Sequence, residues 1–153
     1  MARSGAILGA WVAALGLVAL FRSPGAAAVG GVEVVADRGV YAAGERGTLK
    51  VVNRTGGPIW VPGCRPFEVQ EFEEDRYRVA RGRPCPSEGE AREVPTGATE
   101  LPLEVPDGTG GEVFRVVLTW GTGCRKGLPL SSASCHSFGH AVSSRFRVSR
   151  SGR

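Results

Sequence analysis

Short runs of alternating apolar and polar residues recur along the chain after about residue 30, separated by glycine, proline and asparagine. No stretch there keeps apolar residues at helical spacing for eleven residues. Because side chains of a strand point alternately to the two faces of a sheet, this pattern predicts short strands joined by turns. The predicted strands are Val32–Ala36, Thr48–Asn53, Ile59–Val61, Phe67–Phe72, Tyr77–Ala80, Thr99–Val105, Val113–Trp120 and Ser143–Val148. Roughly seven such strands in one chain predict an all-β fold, an immunoglobulin-like antiparallel β-sandwich.

Two of these strands have predictable places in a sheet. Thr99–Val105 alternates most regularly, with Leu101 and Leu103 on one face and Pro102 on the other. Proline has no N–H to donate to a neighbouring strand, so we expect this strand at a sheet edge. Val113–Trp120 is the most apolar strand, with Phe114, Val116, Leu118 and Trp120 inward and Arg115 outward, as expected at the centre of a sheet.

The segments between the strands carry turn signals. Tyr41–Glu45 and the stretch from 53 to 58 are predicted turns, and Glu73-Glu74-Asp75 is predicted to join a hairpin. The stretch Arg81–Gly97, rich in Arg, Glu, Pro and Gly, is predicted to be a loop. Asn53-Arg54-Thr55 matches a glycosylation sequon, but the Gly-Gly pair that follows favours a turn role for Asn53.

The N-terminus has the order of features found in a secretory signal peptide. Met1-Ala2-Arg3 is positive, Ala6 to Phe21 is an uncharged run of 16 residues, and Ala26-Ala27-Ala28 is a small-residue cleavage site. A retained membrane anchor is the alternative, but the run is short against the roughly 20 residues that span a bilayer. We therefore expect a signal peptide over 1–28 and a single secreted or periplasmic domain over 29–153, with no membrane span after cleavage.

The four cysteines, Cys64, Cys85, Cys124 and Cys135, allow three pairings. Spacing favours 64–85 and 124–135, because each pair brackets one local hairpin or loop, and export favours disulfides. The alternative is a zinc or copper site formed by Cys124, Cys135, His136 and His140. The close cysteine pair that is typical of zinc sites is missing, so we predict no metal and no cofactor.

Charge narrows the partners. The chain has 19 basic and 15 acidic residues, and removing Arg3 and Arg22 with the signal lowers the net charge from +4 to +2. A nucleic-acid-binding protein should show clustered basic residues interleaved with aromatics, and no such stripe is evident in the sequence, so no nucleic acid is expected. The basic tail, Arg145, Arg147, Arg150 and Arg153, is interpreted as a solvated strand face and chain end.

Catalytic patterns are weak. Serines and histidines cluster between residues 131 and 144, but there is no G-x-S-x-G motif and no acidic residue follows Glu112. The acidic run from Glu68 to Asp75 falls at the predicted hairpin and is interpreted as a charged turn. The sequence therefore predicts a protein that is not an enzyme.

Several motifs resemble those of exported bacterial immunoglobulin-like domains. They are Tyr41-x-x-Gly44-Glu45, the strand ending at Asn53, Cys64 to Val69 with Cys85, Pro95-Thr96-Gly97, and Gly111 to Val116. The resemblance covers about residues 32–120, and the layout is similar to the BsuPI-type proteinase-inhibitor family. It implies an immunoglobulin-like sandwich and raises protease inhibition as an alternative function.

We therefore predict a non-enzymatic binding or structural module whose partner is another extracellular protein or a cell-surface component. Its contacts are expected on the loops Arg54–Arg65, Arg81–Gly97 and Thr122–His140. The last of these is the preferred contact loop, and its candidate binding residues are Arg125, Lys126, His136 and His140.

Overall fold

A computed structural model describes residues 30–80, 84–107 and 112–149, and all regular secondary structure in these ranges is β. The predicted signal peptide over 1–28 lies outside the described residues. No helix in the described part is long and apolar enough to cross a membrane. The strands are β1 (Val32–Ala36), β2 (Val40–Ala42), β3 (Arg46–Asn53), β4 (Ile59–Val61), β5 (Glu68–Glu73), β6 (Arg76–Val79), β7 (Arg92–Val94), β8 (Gly97–Glu104), β9 (Val113–Thr122), β10 (Ser137–Val142) and β11 (Phe146–Ser149).

The strands form two sheets that enclose one core. The smaller sheet has the order β1-β3-β8, and the larger sheet has eight strands arranged around β9. Every pairing is antiparallel except that of β2 with β11, which is parallel. The all-β sandwich is confirmed, with eleven described strands rather than about seven.

The most apolar strand is the centre of the larger sheet, as predicted. β9 pairs with β10 and β11 on one side and with β5 and β4 on the other. Its inward residues Phe114, Val116 and Leu118 are at most 1% exposed and pack against residues from both sheets. The burial of these side chains explains why so many short strands assemble around this one.

The predicted edge strand also lies where expected. Within the described residues β8 pairs only with β3, so its other side is an open edge. Leu101 and Leu103 are fully buried, while Pro102 is exposed on the opposite face. Proline on an edge strand removes a donor that another chain could otherwise engage.

Three strands were missed from the sequence. β2 falls in the predicted turn Tyr41–Glu45, β7 falls in the predicted loop Arg81–Gly97, and β10 falls in the segment interpreted as an exposed loop. Each is short or poor in apolar residues; β10, for example, has only Ala141 fully buried. These strands form because a neighbouring strand offers its free edge, a tertiary effect that overrides local propensity.

The Tyr41-x-x-Gly44-Glu45 motif joins the sheets at one corner. Tyr41 is buried, and its hydroxyl donates to Asp37 Oδ1 at 2.6 Å. Glu45 Oε2 accepts the backbone N–H of Ala42 at 2.8 Å, and Gly44 lies between them at a φ of +70°. The motif is therefore structural: an anchored ring followed by a turn that its own glutamate closes.

Candidate binding surface

The candidate binding surface is the solvent-facing side of the larger sheet, here called the outer face. Along β9, Val113, Arg115, Val117 and Thr119 alternate with the buried core residues and so point to this side. The strand pairings extend the outer face onto β10, β11, β2, β5 and β6. Its members are therefore fixed by the register of the sheet.

Apolar side chains are concentrated on this face. The large hydrophobic residues that are exposed in the described part are Val40 (57%), Phe72 (39%), Val79 (52%), Leu128 (38%) and Phe138 (42%). By register, all of these except Leu128 belong to the outer face. Of these, Phe72 and Val79 lie diagonally across β5 and β6, and exposed apolar residues that adjoin one another in this way mark interaction sites.

One row of side chains crosses the whole outer face. Val40 lies opposite Arg147, Arg147 opposite Val113, Val113 opposite Phe72, and Phe72 opposite Tyr77. With neighbouring strands about 4.8 Å apart, the four gaps of this row span about 19 Å. The outer face is therefore a broad, open platform.

Two arginines and two aromatic rings meet at one end of this row, and we call them the arginine–aromatic cluster. The Arg115 guanidinium carbon lies 3.5 Å from the Tyr77 ring centroid. Arg145 lies 5.9 Å from the Tyr77 centroid and 6.0 Å from that of Phe72, and the two rings are 5.1 Å apart. Arg115 Nε also donates to Gln70 Oε1 at 2.9 Å. Stacking on a ring holds a guanidinium in place without neutralising its charge.

Among the described residues, the arginines of the outer face form no close ion pair with a carboxylate. Within the described ranges, Arg115, Arg145 and Arg147 form no ion pair within 4 Å, whereas the arginines 38, 54, 76 and 78 all do. Glu68 is the acidic residue that the register places among them. Guanidinium groups in this state are ready to bind carboxylate or sulfate groups in a two-point fashion.

The loop closed by Cys124 and Cys135 covers the outer face near Gly121, toward the end of β9 that is away from the arginine–aromatic cluster. A Cβ atom at Gly121 would lie 2.9 Å from the sulfur of Cys124 and 3.0 Å from that of Cys135, so the disulfide rests directly on the strand. Lys126 Nζ lies 3.5 Å from the Glu93 carboxylate of β7. The loop is thus tied to the sheet and bounds the platform.

The structure separates the four predicted binding residues. Arg125 donates to the Ala133 carbonyl within its own loop at 2.6 Å, and Lys126 is engaged with Glu93. His136 is exposed and lies immediately before β10. His140 lies on β10 on the outer face, with Nδ1 3.0 Å from Thr119 Oγ1. Of the predicted set, His140 therefore lies on the platform itself.

Both predicted disulfides are present, Cys64–Cys85 and Cys124–Cys135. The sulfurs that the zinc or copper alternative would need are bonded to each other in this state. Among the described residues, no three His, Cys, Asp or Glu side chains are placed to hold a metal ion.

Apart from the outer face, the structure has a concave feature at the open seam between the sheets. It is a cleft of about 680 Å³ with apolar lining from Phe67, Val69 and Val105. Its charged lining has both signs, including Arg92 and Asp107. This mixture favours no single class of ligand, in contrast to the outer face.

No protein-family model, curated protein or solved structure matches this chain.

The arginine–aromatic cluster is not evident from the sequence because its residues come from separate segments. Phe72 and Tyr77 flank the predicted hairpin, Arg115 is on the central strand, and Arg145 precedes the last strand. A signal was available, since each lies at a position predicted to face away from the core or beside a turn. Pairing register, which the sequence did not provide, brings them together.

Proposed function

We propose that this protein is an exported, non-enzymatic binding module that engages a cell-surface or extracellular partner through the outer face of its larger sheet. The observation that carries the proposal is the grouping of Val40, Phe72, Val79 and Phe138 on that face. A water-soluble domain gains nothing in stability from such exposure, so a partner that covers these residues explains it.

Two further features support this function. The two disulfides are characteristic of proteins that work in oxidising compartments. The outer face also combines apolar contacts with guanidinium donors, the residue types that dominate binding energy at interfaces. A rigid sheet supports all of them, so little side-chain order has to be gained on binding.

Retention on the producing cells tests the proposal. The purified domain, labelled at its N-terminus, is incubated with cells, and bound protein is measured by flow cytometry. We expect the double variant F72S/F138S to lose at least about tenfold in apparent affinity, since truncating central anchors typically costs over 1 kcal/mol each.

Leu128 provides the matched control, because it is the exposed large hydrophobic residue of the described part that lies off the platform, in the disulfide-held loop. L128S should bind like the wild type. Equal binding by F72S/F138S and the wild type, with both folded by circular dichroism, would overturn the proposal.

Protease inhibition is the second candidate, and one observation favours it. Residues 84–90 are all exposed, and the segment is fixed by the Cys64–Cys85 disulfide and by the bond from Cys64 N–H to the Glu88 carbonyl at 3.3 Å. An exposed segment held in one conformation is what a substrate-like inhibitor requires. Stoichiometric inhibition of a secreted serine protease, lost in C64S/C85S, would support this function; no inhibition across a protease panel would exclude it.

A further inference from the structure

We infer that the ligand of the outer face is an acidic polysaccharide, held through its carboxylate or sulfate groups by Arg115 and Arg145. The inference rests on the proposed function and specifies the chemistry of its partner. It follows from the charge, shape and depth of the platform, taken in turn.

The positive charge of the outer-face arginines indicates that the ligand is negatively charged. Within the described residues Arg115, Arg145 and Arg147 form no ion pair within 4 Å, and Arg115 is held over the Tyr77 ring and by its Nε bond to Gln70. Two neighbouring guanidinium forks favour ligands that carry repeated anionic groups with at least two acceptor oxygens each. The same charges disfavour a second copy of the chain, because pairing two outer faces would bring arginines against arginines.

Shape favours an extended polymer. The row from Val40 to Tyr77 spans about 19 Å over five strands, and the disulfide-held loop bounds the face near Gly121. An extended peptide would instead gain its main-chain hydrogen bonds at a strand edge, not on a sheet face. Sugar rings present flat apolar faces along a chain, and these suit the exposed Phe72 and Val79 between the charged positions.

The limited exposure of the aromatic rings on the outer face favours a polysaccharide over a membrane or a nucleic acid as the ligand. Phe72 and Phe138 are 39% and 42% exposed, so they are partly embedded in the sheet rather than raised above it for insertion into lipid. Arg115 covers a face of the Tyr77 ring at 3.5 Å, so this ring is not an open platform on which bases could stack. An approaching ligand therefore meets the guanidinium groups of the cluster before it meets the aromatic rings.

Affinity electrophoresis of the folded domain in native gels tests the inference. The probes are polygalacturonate, dextran sulfate and neutral dextran at matched concentration. We expect retardation by polygalacturonate or dextran sulfate and none by dextran, and the first two show whether carboxylate or sulfate is preferred. Retardation should weaken as salt is raised, because salt screens exposed charges.

Two double variants identify the residues. R115Q/R145Q should weaken binding at least about tenfold. R46Q/R92Q removes the same charge from exposed positions away from the outer face and should change binding less than about twofold. R115K/R145K keeps the charge but loses the planar fork, and we expect an intermediate loss; thermal unfolding of each variant verifies that it is folded.

Each other outcome is decisive. Tighter binding to polyglutamate, to single-stranded DNA or to phosphatidylglycerol vesicles than to either acidic polysaccharide would overturn the inference, as would equal losses in the two glutamine variants. In those cases the proposed function still stands if F72S/F138S loses retention on cells. If F72S/F138S is retained like the wild type, the proposed function itself fails.

Discussion

At the scale of single residues, Asn53 shows how one side chain can join the two sheets. It is 2% exposed, and its Nδ2 donates to the carbonyls of Gly57 (2.9 Å), Val94 (3.3 Å) and Pro95 (3.2 Å). Its Oδ1 accepts both the N–H and the hydroxyl of Thr55. Every polar atom of the amide is engaged, so the sequon at this position serves as a turn and leaves no room for a glycan.

Replacing Asn53 by aspartate tests this role. The carboxylate has a similar shape but no N–H, so it would face three carbonyl oxygens in a buried site. We expect a loss of about 2–4 kcal/mol in the free energy of unfolding, measured in urea. Arg54→Gln is the neighbouring control: its ion pair with Glu33 is exposed, and we expect a loss under about 1 kcal/mol. Similar losses in the two variants would contradict the argument.

The Asp37–Tyr41 pair makes the stability of the protein depend on pH in both the acidic and the alkaline range. Burial, and then the nearby Asp37 carboxylate, raises the pKa of Tyr41 to about 12. Hydrogen bonds from the Tyr41 hydroxyl and the Thr48 N–H lower the pKa of Asp37. The contribution of Tyr41 to the free energy of unfolding is complete below its unfolded pKa of about 10 and is lost as pH rises through 12. The contribution of Asp37 is present above its unfolded pKa and is lost as pH falls below that value.

Tyr41→Phe isolates the alkaline part. Phenylalanine keeps the ring in the core but cannot ionise, so we expect Tm to fall less between pH 9 and 12 than it does in the wild type. At pH 7 the variant should be less stable by about 1 kcal/mol, because Asp37 and the Arg38 N–H lose a partner. Parallel Tm profiles for the two proteins would contradict the assignment.

At the scale of elements, the sequence was most informative where burial alone decides. β1 and β4 have the predicted bounds, and the central strand and the edge strand both occupy their predicted places. β10 was missed because its residues, Ser-Phe-Gly-His-Ala-Val, carry little apolar signal of their own. Its pairing with β9 depends on a glycine that the sequence alone gave no reason to notice.

That glycine is Gly139, which lies opposite Trp120. A Cβ atom at Gly139 would lie 2.2 Å from Trp120 Cζ2, so any side chain there must push the indole or the strand aside. We expect Gly139→Ala to lower the free energy of unfolding by about 1–3 kcal/mol, as for other overpacked sites. Gly39→Ala is the control, since an added Cβ there meets nothing within 4 Å; an equal effect of the two substitutions would refute the close-contact argument.

At the scale of the whole molecule, the two solvent-facing sides differ in which residues face each cation across the strands. On the smaller sheet, Lys50 lies opposite Glu100 and Arg46 opposite Glu104. On the outer face, Arg115 lies opposite Gln70, and Arg147 lies between two valines. Overall composition, with 19 basic and 15 acidic residues, conceals this asymmetry. The sequence could thus exclude a strongly basic protein but could not reveal that, within the described strands, Arg115 and Arg147 face no acidic residue in the pairing register.

One disulfide borders the outer face and the other lines the cleft. Removing each in turn should therefore separate an effect on stability from an effect on binding. Cys124–Cys135 rests on Gly121 at the border of the outer face, whereas Cys64–Cys85 lines the cleft at the seam. Each removal should cost about 2–3 kcal/mol in the free energy of unfolding. We expect C124A/C135A also to weaken binding to the acidic polysaccharide several-fold, because a loosened loop would no longer bound the platform. C64A/C85A should bind like the wild type under conditions where both variants are folded, and equal binding by the two variants would show that the loop has no part in shaping the face.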